Sequence, residues 1–186
     1  MSLPVQRYRF SVDDFYRMAE ANILTEDDRV ELIDGEVIEM TPIGARHAAC
    51  VKKLTETLGK WASGRALLSV QDPIRLSDVS ELQPDIALLR RREDFYAEAH
   101  PTPSDVYLLM EIGDTSSERD RNVQLPLYAE AGIPEVWLID LERRRIEVYS
   151  EPCPIGYGRV RRYGSEETVL SLILTDLALD ADMLFK

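Results

Sequence analysis

The chain has 186 residues, 45% of them hydrophobic, and its 34 acids against 22 Lys and Arg give a formal charge of -12. This fits one domain with its own core over residues 1–186, and the acidity works against broad capture of phosphate backbones, so a nucleic-acid role needs a local basic surface or a bridging cation. The N-terminus has no apolar core of signal-peptide length, the apolar run from Val169 to Leu179 is broken by Ser171, Thr175 and Asp176, and Cys50 and Cys153 lack metal or redox spacing, so a soluble cytoplasmic protein with no membrane segment is expected.

Ser11 opens a predicted helix, with Asp14 as a relative of the capping-box acid and Phe15, Met18 and Ala19 on one face. Val30 to Ile33 and Glu36 to Met40 flank Asp34-Gly35, whose tolerance of positive φ predicts a hairpin with Glu31 on its first strand. This N-terminal helix and hairpin take up residues 10–41. From Ala45 to Ser63, the spacing of Ala48, Val51, Leu54, Leu58 and Trp61 predicts a helix stopped at Gly64, with His47 in its first turn. Leu67 to Val70 and Ile74 to Leu76 read as strands, SDVSELQ as turn, and Pro84-Asp85 as the opening of a strand, Ile86 to Leu89, that runs into Arg90, Arg91 and Arg92. The polar stretch from Glu93 to Asp105 reads as a loop.

Val106 to Met110 is an apolar run that delivers Glu111 to a strand end before Gly113 and the polar loop Asp114 to Arg119. A helix follows with Val123, Leu127, Tyr128 and Ala131 on one face, either kinked at Pro126 or begun there, and stopped by Gly132. Glu135 to Asp140 reads as a buried strand, completing a parallel crossover unit. A core over about residues 45–140 then leads into an antiparallel β tail, residues 141–186, that extends the sheet or makes a subunit contact and leaves a homo-oligomer open.

Glu31, Asp85 and Glu111 each fall at or near a strand end. Converging carboxylates repel unless a proton or divalent cation neutralises them, and Mg²⁺ suits such a pair because it uses one or two carboxylates and keeps several waters. On spacing alone, the bland alternative of solvated strand-end acids is favoured. His47 in a first turn is more often a surface or capping partner than a group approaching phosphate. The Arg90 to Arg92 run reads as a solvated strand end, Tyr128 and Trp137 as packing, and Gly156-Tyr-Gly158 as a turn that lacks the third glycine of a dinucleotide loop. His and Cys spacing gives no zinc site.

Four segments in order, VELIDGEVIEMTPIGARH (30–47), LQPDIALL (82–89), YLLMEIGDTSSERDR (107–121) and LYAEAGIPEVWLIDL (127–141), make the chain resemble the Uma2 family of endonucleases in the PD-(D/E)XK nuclease superfamily. The resemblance implies an α/β (α+β) fold with a restriction-endonuclease-like core, a mixed central sheet flanked by helices. It implies that Asp85 and Glu111 bind Mg²⁺, which Mn²⁺ can replace, together with the backbone carbonyl of Ile112, and that Glu31 is an additional acid lining the site. The implied reaction is hydrolysis of a nucleic-acid phosphodiester, DNA first, by metal-activated water.

The resemblance also carries a departure. Gly113 stands where the superfamily motif places Lys two residues after Glu111, and in the alternative helix pattern DRxxKLxxY, which reads DRNVQLPLY here, Gln124 holds the Lys position. Gln donates a hydrogen bond but brings no positive charge, so cleavage is expected to be impaired; Arg121, three residues earlier, offers a substitute cation that is no proton acceptor. The alternative is an inactive nuclease fold used for binding or assembly. Paired carboxylates acting on a glycosidic bond are a further chemical possibility that the resemblance disfavours.

Overall fold

The computed structural model describes residues 7–25, 27–113 and 120–186, with the side chains of Asp120 and Arg121 outside that description. The first helix, α1 (Val12–Glu20), begins at a reciprocal cap: Ser11 Oγ accepts the Asp14 N–H at 3.0 Å, and the Asp14 carboxylate accepts the Ser11 N–H at 3.1 Å. Strands β1 (Val30–Ile33) and β2 (Glu36–Glu39) pair around Asp34 and Gly35, whose φ values of 51° and 77° make the turn that Asp-Gly favours. A Cβ on Gly35 would lie 2.5 Å from Arg9 Cβ, so glycine is required there for space as well as for φ.

The long helix α2 (Ala45–Ala62) is followed by β3 (Leu67–Val70) and β4 (Ile74–Ser77). The stretch read as turn from sequence holds a further strand, β5 (Ser80–Leu82), which pairs with both β4 and β1. Its polar residues disguised it, because Glu81 is buried and accepts the Tyr16 hydroxyl at 2.6 Å instead of facing water.

Next come β6 (Ile86–Leu89), β7 (Val106–Gly113), the helix α3 (Leu125–Glu130), β8 (Glu135–Asp140), β9 (Arg145–Cys153) and β10 (Gly156–Gly164). They form a six-stranded sheet in the order β10-β9-β8-β7-β6-β3, beside a four-stranded sheet in the order β2-β1-β5-β4. The pair β7 and β8 is parallel and its neighbours are antiparallel, as the crossover reading predicts. Pro126 takes the second position of α3, after a π-helical turn, Asp120–Gln124. Such a widened turn suits a residue that has no N–H to give to the helix ladder.

The tail extends the sheet through β9 and β10. Gly156 to Gly158 begin β10 instead of forming a turn, and Pro154 and Ile155 turn the chain in their place. A small hairpin, β11 (Thr168–Leu170) with β12 (Ala178–Asp180), and the short helix α4 (Asp182–Phe185) complete the chain.

Alternation along the central strands separates two apolar layers. Ile86, Leu88, Leu108, Met110 and Trp137 pack under α2, whereas Ala87, Leu89, Leu109, Val136 and Leu138 pack with Leu125 and Tyr128 of α3 and with the smaller sheet. Glu135 is wholly buried and held by donors: Trp137 Nε1 at 2.6 Å, Leu172 N at 2.8 Å and Ile173 N at 3.1 Å. It ties the tail to β8, so Glu135→Ala is expected to cost about 3 kcal/mol in urea unfolding, because three buried N–H groups lose a charged acceptor. A cost near zero would mean that water replaces the carboxylate there. Among the described residues no helix is long and apolar enough to cross a membrane.

Candidate active site

Asp85 lies one residue before β6. Extending the Ile86↔Met110 register by one step sets it opposite Glu111, and opposite residues on antiparallel strands share a face. The β3–β6 register likewise sets Gln71 beside Asp85. Gln71 has φ of 56°, its N–H donates to the Asp85 carbonyl at 3.2 Å, and its Nε2 donates to Asp85 Oδ1 at 3.1 Å. The other carboxylate oxygen, Oδ2, accepts the Ile112 N–H at 2.9 Å and lies 2.9 Å from His47 Nε2. First-turn His47 is thus a half-sequestered partner of Asp85, with 15% of its side chain exposed, and not a surface residue.

Glu111 is 5% exposed and accepts the buried Tyr128 hydroxyl at 2.5 Å, so Tyr128 orients this carboxylate as well as packing. Glu31 on β1 is 3% exposed and accepts the Gln83 N–H at 2.9 Å, which ties the smaller sheet to the strand that carries Asp85.

Gln124 closes the π-helical turn ahead of α3. It is 7% exposed, and its Oε1 has no hydrogen-bond partner among the described residues. Glu31, His47, Asp85, Glu111, Ile112 and Gln124 line one cleft of about 100 Å³, room for roughly three waters. Arg121 shares the π-helical turn, but its side chain lies outside the described residues, as does the loop Asp114 to Arg119.

The backbone at Ile112 fits this cleft. Its N–H reaches Asp85 and the Gly113 carbonyl accepts Leu141 N–H at 2.9 Å, so Ile112 turns both its polar groups toward β6 and Gly113 toward β8. Two steps beyond Ile86↔Met110 the residue facing Ile112 is Pro84, which has no N–H to give the Ile112 carbonyl. Nearby, burial and then the Asp85 charge push the Cys50 thiol up to about 12, so it remains a neutral thiol at ordinary pH.

The Arg90 to Arg92 run leaves the opposite end of β6. Arg90 lies 4.7 Å from the Tyr107 ring centroid and Arg92 4.5 Å from that of Tyr96, which fits the solvated strand-end reading. Sequence reading missed Gln71, Gln83 and Arg29 as lining residues and Tyr128 as a positioning residue. Strand pairing was the signal that could have found Gln71, because it stands opposite Asp85 once β3 and β6 are in register.

A mixed sheet flanked by helices, with acids gathered at one end of its central strands, is the architecture of a restriction-endonuclease-like fold. The chain is similar to the crystal structure of a putative nuclease belonging to DUF820 from Anabaena variabilis, with a TM-score of 0.72 and 18% identity over 95% of this chain and 97% of that one. Residues 12–182 match the family Uma2, described as "Putative restriction endonuclease", and the chain belongs to that family. No curated protein matches its sequence.

Proposed function

We propose that the chain is a divalent-cation-dependent endonuclease that hydrolyses nucleic-acid phosphodiesters, DNA first, with chemistry attenuated by Gln124. The observation that carries this reading is the convergence of Glu31, Asp85, Glu111 and Gln124, from four separate segments, on one cleft.

The donor set fits a hard cation. Mg²⁺ needs only one or two carboxylates with waters, and Asp85 and Glu111 with the Ile112 carbonyl would supply them. Gln124 Oε1 supports the same assignment: a buried acceptor with no partner among the described residues, in a cleft lined by carboxylates, is one that the waters of a hydrated cation would satisfy. Bound there, Mg²⁺ supplies charge neutralisation at the scissile phosphate and water of lowered pKa.

The protein groups do the rest. His47 and Gln71 hold the Asp85 carboxylate, and Tyr128 holds that of Glu111, which restrains both acids before a cation binds. Glu31 faces the same cleft from the smaller sheet as an auxiliary acid. The Gln124 amide donates to developing negative charge but adds no positive charge.

The test is a panel of labelled single-stranded, double-stranded and branched DNA and RNA. Cleavage is expected with Mg²⁺ or Mn²⁺ and is expected to vanish with chelator and return when the ion is restored. Cleavage that persists in chelator would overturn metal dependence. Gln124 favours a second reading, a nuclease fold that binds without cutting, and a panel with metal-enhanced binding but no products would support it.

A further inference from the structure

The cleft that gathers the acids has a cation on its rim. Glu31, Asp85 and Glu111 share its lining with Arg29, the one Arg or Lys among the described residues there. Arg29 stands just before β1, and its carbonyl accepts the Met40 N–H at 2.8 Å, so the hairpin pairing runs one step past Val30↔Glu39. Alternation along the strand puts Arg29 on the same face as Glu31, with Met40 and Ile38 opposite them, and leaves Val30 and Glu39 on the other face.

Arg29 is exposed, and its side chain has no hydrogen bond or ion pair among the described residues. The arginines ahead of it differ, since Arg7 pairs with Glu36 and Arg9 with Asp34. The acids nearest Arg29 are turned elsewhere. Asp28 accepts the Thr25 N–H at 2.8 Å and the Thr25 hydroxyl at 2.9 Å, Glu31 Oε1 accepts the Gln83 N–H, and Glu39 lies on the opposite face.

Charge decides what such a residue can do. With its three acids ionised and His47 neutral, the cleft lining is negative by two charges once Arg29 is counted, and one divalent cation neutralises it. Without Arg29 the cation-loaded cleft would stay negative and repel the phosphate it has to admit. Gln124 adds no charge from the other wall. Two residues along a strand span ~7 Å, so Arg29 stands outward of buried Glu31 by about the separation of neighbouring phosphates on one nucleic-acid strand.

We infer that Arg29 binds the substrate phosphate next to the scissile one, on the side of the smaller sheet, and so lets an acidic cleft hold a polyanion. Its planar fork of donors suits two oxygens of one phosphate. The inference rests on the nuclease reading for its substrate, but binding tests it apart from cleavage.

The experiment is a salt series of anisotropy titrations with a fluorescein-labelled single-stranded DNA oligonucleotide and its duplex, with Ca²⁺ in place of Mg²⁺. Arg29→Gln and the charge-keeping Arg29→Lys are compared with Lys52→Gln, which removes one charge from an exposed α2 position outside the cleft. Arg29→Gln is expected to weaken binding about 10-fold and lower the salt slope by about 1, with Arg29→Lys keeping the wild-type slope and Lys52→Gln near wild type. Equal losses in Arg29→Gln and Lys52→Gln would reduce the effect to net charge and overturn the assignment. So would an Arg29→Lys protein with the slope lowered as far as in Arg29→Gln, or no binding by wild type. Cleavage by wild type with unaltered binding in Arg29→Gln would overturn the phosphate contact and leave the nuclease reading standing. Binding that depends on Arg29 in a protein that never cleaves would do the reverse.

Discussion

Asp85→Ala is expected to abolish metal-dependent cleavage, a fall of roughly 10³-fold or more, as loss of a charged group in the reacting cleft costs at least what one oxyanion donor does. The substitution removes a proposed cation ligand and also strips acceptors from His47, Gln71 and the Ile112 N–H. These orphaned donors are expected to lower stability by about 1–3 kcal/mol, so Asp85→Asn belongs beside it. Asn keeps the shape and one oxygen acceptor while removing the charge. Cleavage by Asp85→Asn at the wild-type rate, measured under single turnover, would exclude Asp85 as a cation ligand.

Gln124→Lys is expected to raise kcat by about 10²- to 10³-fold at saturating metal, the range associated with one preorganised stabilising group in a transition state. Gln124 is 7% exposed in a cleft lined by Glu31, Asp85 and Glu111, so an ammonium placed there meets carboxylates instead of an apolar wall. It also removes the Oε1 acceptor, which has no partner among the described residues. The price in metal affinity is a competing positive charge, so the effect is to be read at saturating Mg²⁺ and in kcat. Gln124→Met, similar in length and uncharged, serves as the control. A gain in Lys but not in Met would show an intact site short of one cation, whereas silence in both, with metal still bound, would favour a protein that binds without cutting.

These effects trace back to features of unequal legibility. The hairpin at Asp34-Gly35, the α2 helix and the parallel β7–α3–β8 unit were readable because turn chemistry and apolar periodicity are local. Asp85 and Glu111 were readable as strand-end acids, and the resemblance to Uma2 paired them before the register did. The β5 strand was not, because buried Ser80 and Glu81 look like turn residues until their partners on other elements are known. Nor was the second role of Tyr128: an apolar helical position announces packing, and only the fold brings its hydroxyl to Glu111. Pro126 left a kink and a late start equally open, and the structure joins a π-helical turn to a late α start. His47 shows the same limit, since a first-turn histidine becomes an Asp85 partner only when α2 packs across the end of the sheet.

The central claim is that Asp85 and Glu111 together hold a divalent cation. Titration of Mn²⁺ followed by electron paramagnetic resonance, on wild type, Asp85→Asn and Glu111→Gln, measures this without a substrate. The account predicts a Mn²⁺ site in wild type that Mg²⁺ displaces and that either substitution abolishes. Unchanged Mn²⁺ affinity in both variants would contradict it.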